Sequence, residues 1–219
     1  MIPSCSRKPL TMNINRQKHT PRQLFQILAC AVLLAGCTGL KAPQVEKSHI
    51  YVLDARAPVK AAQAKRELVL AVSMPRARSG FDTAQMAYLR QPHELGYFAF
   101  NRWADTPARM LAPLMMQTLE PGFRAVVQTP GAAPSNIRLD TELIRLQQDF
   151  STQPSKVQLT LRAQLIDVAG KRVLAVKVFD ETENAASDDA YGGVTAANRV
   201  VQRVLGQLAD FCVNASVSQ

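Results

Sequence analysis

Only four cysteines, three histidines and one tryptophan occur in the 219 residues. The cysteines are too few for a disulfide scaffold, and they show no metal-ligand spacing. The chain has no glycine-rich phosphate loop, no paired-histidine metal motif and no Gly-x-Ser-x-Gly elbow, so no catalytic, cofactor or metal residues are assigned and an enzyme is not expected. Long apolar runs are missing as well, since the run at 27–34 is far short of the ~20 residues that span a bilayer. The first 36 residues contain no acid, but do contain Arg7, Lys8, Arg16, Lys18 and Arg22. Those five carry most of the formal net charge of +9, because without them 21 basic residues face 17 acids, a net of +4. So weakly basic a body is no nucleic-acid signature. Apolar types make up 47% and charged types 20%, which excludes intrinsic disorder and suits one domain with an appended segment.

That segment reads as an export signal. A basic stretch at 7–22 leads into the short apolar run, which ends in Leu34-Ala35-Gly36-Cys37. These four residues resemble the lipobox of bacterial lipoproteins, in which the cysteine thiol receives a diacylglyceryl group, cleavage falls just before it, and the new amine is acylated. Residues 1–36 are therefore expected to be a signal peptide, Cys37 the lipidation site, and 37–49 a tether. Eleven extended residues from Cys37 reach at most ~40 Å. Thr38 rather than Asp follows the cysteine, which by resemblance to sorted lipoproteins implies the outer membrane and its periplasmic face. The basic stretch is long for a start at Met1, and Met12 gives a more usual signal. Cys212 is then the one free thiol of the mature chain, expected to be a small buried residue on the last helix.

In the body, residues 50–53 and 68–72 read as strands, the second apolar on both faces and so central. Residues 84–90 and 94–101 read as two strands around a turn at Gln91-Pro92-His93. Thr106 caps a helix that Pro107 opens, Pro113 lies inside it and should kink it, and Glu120-Pro121-Gly122 stops it. A strand is expected at 123–128. From Ile137 the apolar residues alternate as far as Leu143, then change phase to Ile144, Leu146 and Phe150, which calls for a bulge near Leu143-Ile144. Residues 157–165 alternate cleanly and pair with 172–179 as a hairpin. A polar loop with four acids between 181 and 189 leads through Gly192-Gly193 to a last helix with a Val/Leu seam. The expected fold is α+β: a mainly antiparallel sheet with two packed helices, one domain over 50–219.

Asp140 and Glu142 share a strand face and could be a carboxylate pair, although with Arg138 alongside they read more simply as the wet face of a strand. His49 and His93 lack convergent partners. Tyr88, Tyr97, Phe98, Phe100 and Trp103 concentrate aromatic surface within sixteen residues. Core packing is one reading. The other is a partner or lipid surface carried by Tyr97 and Trp103, since one helix layer cannot cover both faces of a strand; an aromatic row would then face another subunit, as in a homo-oligomer, a partner protein or lipid.

These residues carry a resemblance. Tyr51-Val52-Leu53, Gly80-Phe81-Asp82-Thr83-Ala84-Gln85-Met86-Ala87-Tyr88, Leu95-Gly96-Tyr97-Phe98-Ala99-Phe100-Asn101-Arg102-Trp103, Pro107-Ala108-Arg109-Met110-Leu111 and Gly192-Gly193-Val194-Thr195-Ala196-Ala197-Asn198 resemble the ABC-type transport auxiliary lipoprotein family, over roughly 50–211. The resemblance implies an outer-membrane lipoprotein facing the periplasm. It also implies work with an ABC transporter and a mammalian-cell-entry type protein in (phospho)lipid traffic, with no catalytic residue or cofactor to carry over. Two roles fit: a docking or assembly subunit, or a direct carrier of acyl chains between sheet and helices. Large residues at the core positions favour docking, because a carrier needs an apolar cavity of several hundred Å³.

Overall fold

Ile144 is the extra residue that the change of apolar phase demands. In a computed structural model of the chain, which describes residues 47–56, 65–131 and 133–216 together with Pro21, Leu143 pairs with Leu161 and Arg145 with Thr160, leaving Ile144 unmatched. The bulge returns Leu146 to the buried face already held by Ile137, Leu139 and Leu143.

The described residues form nine strands and two α-helices. The strands are β1 (His49–Tyr51), β2 (Arg66–Ser73), β3 (Arg76–Ala77), β4 (Gln85–Leu89), β5 (Leu95–Trp103), β6 (Phe123–Thr129), β7 (Ile137–Asp149), β8 (Lys156–Asp167) and β9 (Arg172–Asn184), and the helices are α1 (Pro107–Leu119) and α2 (Ala190–Ala215). Strand β7 organises one sheet. Along one side it pairs antiparallel with β8, which pairs antiparallel with β9. Along its other side β2, β3 and β4 follow one another, all parallel to it. Strand β6 flanks β2, and β5 then β1 flank β4. The longest pairings are antiparallel, as expected. Parallel pairing occurs as well: β2, β3 and β4 thread forward along β7, and β1 with β5 and β2 with β6 also run parallel.

Both helices lie on one face of the sheet, α1 against β2 and β6, α2 against β8 and β9, and they touch each other. Helix α1 begins as its sequence dictates: the Thr106 hydroxyl accepts from the Arg109 N–H at 3.4 Å, and Pro107 occupies the first turn. It runs on through the exposed Pro113, burying Leu111, Met115 and Leu119. The Val200, Val201, Val204, Leu205 and Leu208 seam of α2 closes a single core with Leu159, Leu161 and Phe179 of the sheet.

The segment 181–189 differs from the expected loop. Strand β9 continues to Asn184, and α2 begins at Ala190, where the Asp189 carboxylate accepts the Gly192 N–H at 2.7 Å. Two of the four acids that suggested a loop face the polar flank of α2. Glu183 meets Arg199 and Arg203, and Gln207 donates to Glu181 at 2.7 Å. Gly192 and Gly193 thus belong to the first turn of α2, and a Cβ at 193 would lie 2.1 Å from Gln148 Oε1, so any larger residue there must displace the Gln148 side chain.

Candidate partner surface

The β4–β5 hairpin starts in regular register, with Leu89 opposite Leu95, Tyr88 opposite Gly96 and Ala87 opposite Tyr97. The Tyr88 ring lies over Gly96, where a Cβ would come 2.7 Å from it and force the ring to shift. The next pair is Gln85 with Arg102, so the ladder slips over 98–101 and strict alternation fails along β5. Phe98 ends on the helix-covered side, packed edge-on against Tyr88 and Phe150 with ring centres 5.0 Å and 6.2 Å away. The Arg90 guanidinium lies over Tyr88 at 5.5 Å.

The slip corrects one expected site residue. Trp103, expected at a partner surface, is 3% exposed and belongs to the core, because the shifted ladder turns it inward while its backbone N–H donates to the Ala84 carbonyl at 2.8 Å. Tyr97 points away from the helices, half-buried, and its hydroxyl donates to the Gly80 carbonyl at 2.9 Å. Part of its face is therefore engaged within the domain. The aromatic that the slip leaves outside is Phe100, 43% exposed. Near it, at the β1 edge, stand Ile50 and Val52, exposed by 64% and 55%. Tyr191, 67% exposed, packs against Tyr51 with ring centres 6.4 Å apart. The alternation of 49–52 held this signal, but nothing in the sequence marked β1 as an edge.

Asp140 and Glu142, the carboxylates that share a strand face, are each held by an arginine. Asp140 accepts from Arg138 at 3.0 Å and from Ser73 Oγ at 2.6 Å, while Glu142 takes Arg78 at 3.2 Å. Burial acts to raise the Asp140 carboxyl, but the hydrogen bonds from Arg138 and Ser73 and the charges of Arg138 and Arg76 outweigh it and hold the group below its ordinary value. His93 is exposed in its turn, and the exposed His49 stacks on Tyr51. Among the described residues no three His, Cys, Asp or Glu side chains converge as a metal site would require. Cys212 is buried, and burial pushes its thiol up. Cys37 lies outside the described residues. None of the described helices is long and apolar enough to cross a membrane.

A half-open cleft runs between the sheet and the start of α2, lined among others by Met86, Phe98, Trp103, Leu146 and Gly193. Its inner part has room for about one water molecule. Gln148 reaches into it, donating its amide to Ser155 Oγ and to the Asp189 carbonyl while its oxygen has no partner.

No curated protein matches the sequence. Among solved structures, a protein from Xanthomonas campestris is 20% identical, with 76% of this chain and 96% of that one covered at a TM-score of 0.71. A hypothetical protein from Chlamydia trachomatis is 9% identical, with 70% and 100% covered at a TM-score of 0.50. Both likenesses speak for the fold. Residues 51–209 match the family described as the ABC-type transport auxiliary lipoprotein component, a span from β1 to late in α2 that holds the aromatic hairpin and the glycine pair. The chain belongs to the ABC-type transport auxiliary lipoprotein family.

Proposed function

We propose that the chain is an outer-membrane-anchored, periplasm-facing docking subunit of an ABC-type (phospho)lipid transport system, with no catalysis of its own. On this reading residues 1–36 are a signal peptide, Cys37 carries the acyl chains, 37–49 tether the domain, and 50–219 form it. Three chains on one cysteine hold a protein far more firmly than the marginal grip of a single myristoyl group. The partner is an ABC transporter or its mammalian-cell-entry type component, met in part through the Tyr97 face.

The observation that supports docking over lipid carriage is the set of large side chains packed between sheet and helices among the described residues. Leu111, Met115, Phe123, Leu159 and Phe179 are fully buried there, and the cleft beside them admits a water, not an acyl chain. The lipidated chain, purified in detergent and extracted with organic solvent, should release only the fatty acids bound at Cys37. A phospholipid recovered in stoichiometric amount, and lost when Phe98 is enlarged to Trp, would reverse the choice in favour of a carrier.

A further inference from the structure

Strand β1 is an open edge: among the described residues it pairs with β5 alone. Proteins ordinarily blunt such edges with charge or cover them, and clustered exposed apolar groups mark a contact surface. Here Ile50 and Val52 project to one side of the strand, Tyr191 flanks its other side beside Tyr51, and Phe100 stands in the slipped part of the neighbouring strand. The segment is firmly held. The Ala104 N–H donates to the Tyr51 carbonyl at 2.7 Å, the Asp54 N–H to Asn198 Oδ1 at 2.7 Å, and Gln202 Nε2 to the Arg56 carbonyl at 2.8 Å. The place where the amino-terminal segment joins the domain is therefore constant.

We propose that the β1 edge lies on a phospholipid bilayer, with Ile50, Val52, Phe100 and Tyr191 in the interfacial zone; the proposal rests on acylation of Cys37. From Cys37 the chain reaches His49 in a dozen residues, so the anchor holds this edge within ~45 Å of the membrane even when the segment is fully extended. The side chains suit that surface. Aliphatic groups enter the acyl boundary, a tyrosine sits at the headgroups, and the exposed Lys47, Arg56 and Arg102 are placed to meet anionic lipid. Affinity comes from the anchor, which makes the second contact intramolecular. The edge contributes orientation: with β1 on the bilayer, the β9 edge across the sheet is turned toward the periplasm.

The test uses the full lipidated chain with an environment-sensitive fluorophore on Ile50→Cys or Val178→Cys. Val178 is exposed on β9, and the buried Cys212 does not compete for the label. The protein is reconstituted into vesicles of phosphatidylethanolamine and phosphatidylglycerol containing a headgroup-level nitroxide lipid. The label at 50 should shift to the blue and be quenched, while the label at 178 stays unquenched. An unquenched label at 50 on a chain whose Cys37 is acylated by mass overturns the proposal alone. An unacylated Cys37 overturns it together with the lipoprotein reading. A blue shift at 50 that grows with protein concentration in lipid-free detergent overturns it too, by giving the edge to a second copy of the chain.

Discussion

Gly193→Ala adds one methyl group where α2 meets the sheet, and the structure decides the sign of its effect. The new Cβ would sit 2.1 Å from Gln148 Oε1 and 2.7 Å from its Cδ. Gln148 cannot step aside without loss, because its amide donates to Ser155 Oγ at 3.0 Å and to the Asp189 carbonyl at 3.1 Å. Those two bonds contribute about 1 kcal/mol each. Overpacking in an unyielding site adds ~1–3 kcal/mol. The opposing gain, alanine for glycine within a helix, is at most ~1 kcal/mol. The clash wins, with a net loss of about 1–3 kcal/mol and a Tm lower by roughly 2–10 °C for a domain of this size. Urea unfolding followed by circular dichroism, on wild type, Gly193→Ala, Gln148→Ala and the double variant, separates the terms. With Gln148 shortened, the same alanine should be neutral or stabilising. A gain in the wild-type background, or an equal loss in both, would refute the close-approach argument.

Leu161→Ala and Val204→Ala should each cost about 2–4 kcal/mol, since both side chains are buried in the shared core. A loss under ~0.5 kcal/mol at both would show that the core does not join β8 to α2. Asp140, held below its ordinary value, contributes stability that is present at neutral pH and fades as acid protonates the folded form. Asp140→Asn should therefore flatten the acid limb of a stability–pH curve and leave the alkaline limb unchanged, whereas an unaltered acid limb would mean the Arg138 and Ser73 contacts do not hold in solution. Cys37→Ser should abolish palmitate labelling and leave an uncleaved precursor, and labelling that persists would remove the lipobox reading.

The legible parts of the fold are those where side-chain chemistry has one physical outcome. Two adjacent apolar residues in an alternating strand force a bulge, and one lies at Ile144. Thr106-Pro107 offers a cap followed by a residue that needs no N–H, and α1 starts there. Polar composition was misleading at 181–184, because Glu181 and Glu183 find their partners on a helix that begins only later in the chain. Strand direction was hidden as well, since alternation is the same for a parallel and an antiparallel neighbour, so β2, β3 and β4 running alongside β7 left no mark in the pattern. The candidate surface was half legible. The aromatic concentration was visible, but the ladder slip that buries Trp103 and exposes Phe100 depends on β4 supplying fewer residues than β5, a relation between two segments that neither carries alone.

Docking to a transporter is tested most directly by formaldehyde crosslinking in growing cells that carry the tagged, lipidated chain, followed by capture from the envelope and identification of the adducts by mass. The account predicts an adduct with an ABC permease or a mammalian-cell-entry type protein, reduced by Tyr97→Ser while the chain stays folded and in the outer membrane. Adducts confined to other copies of the chain or to unrelated envelope proteins, with Cys37 acylated, would contradict it.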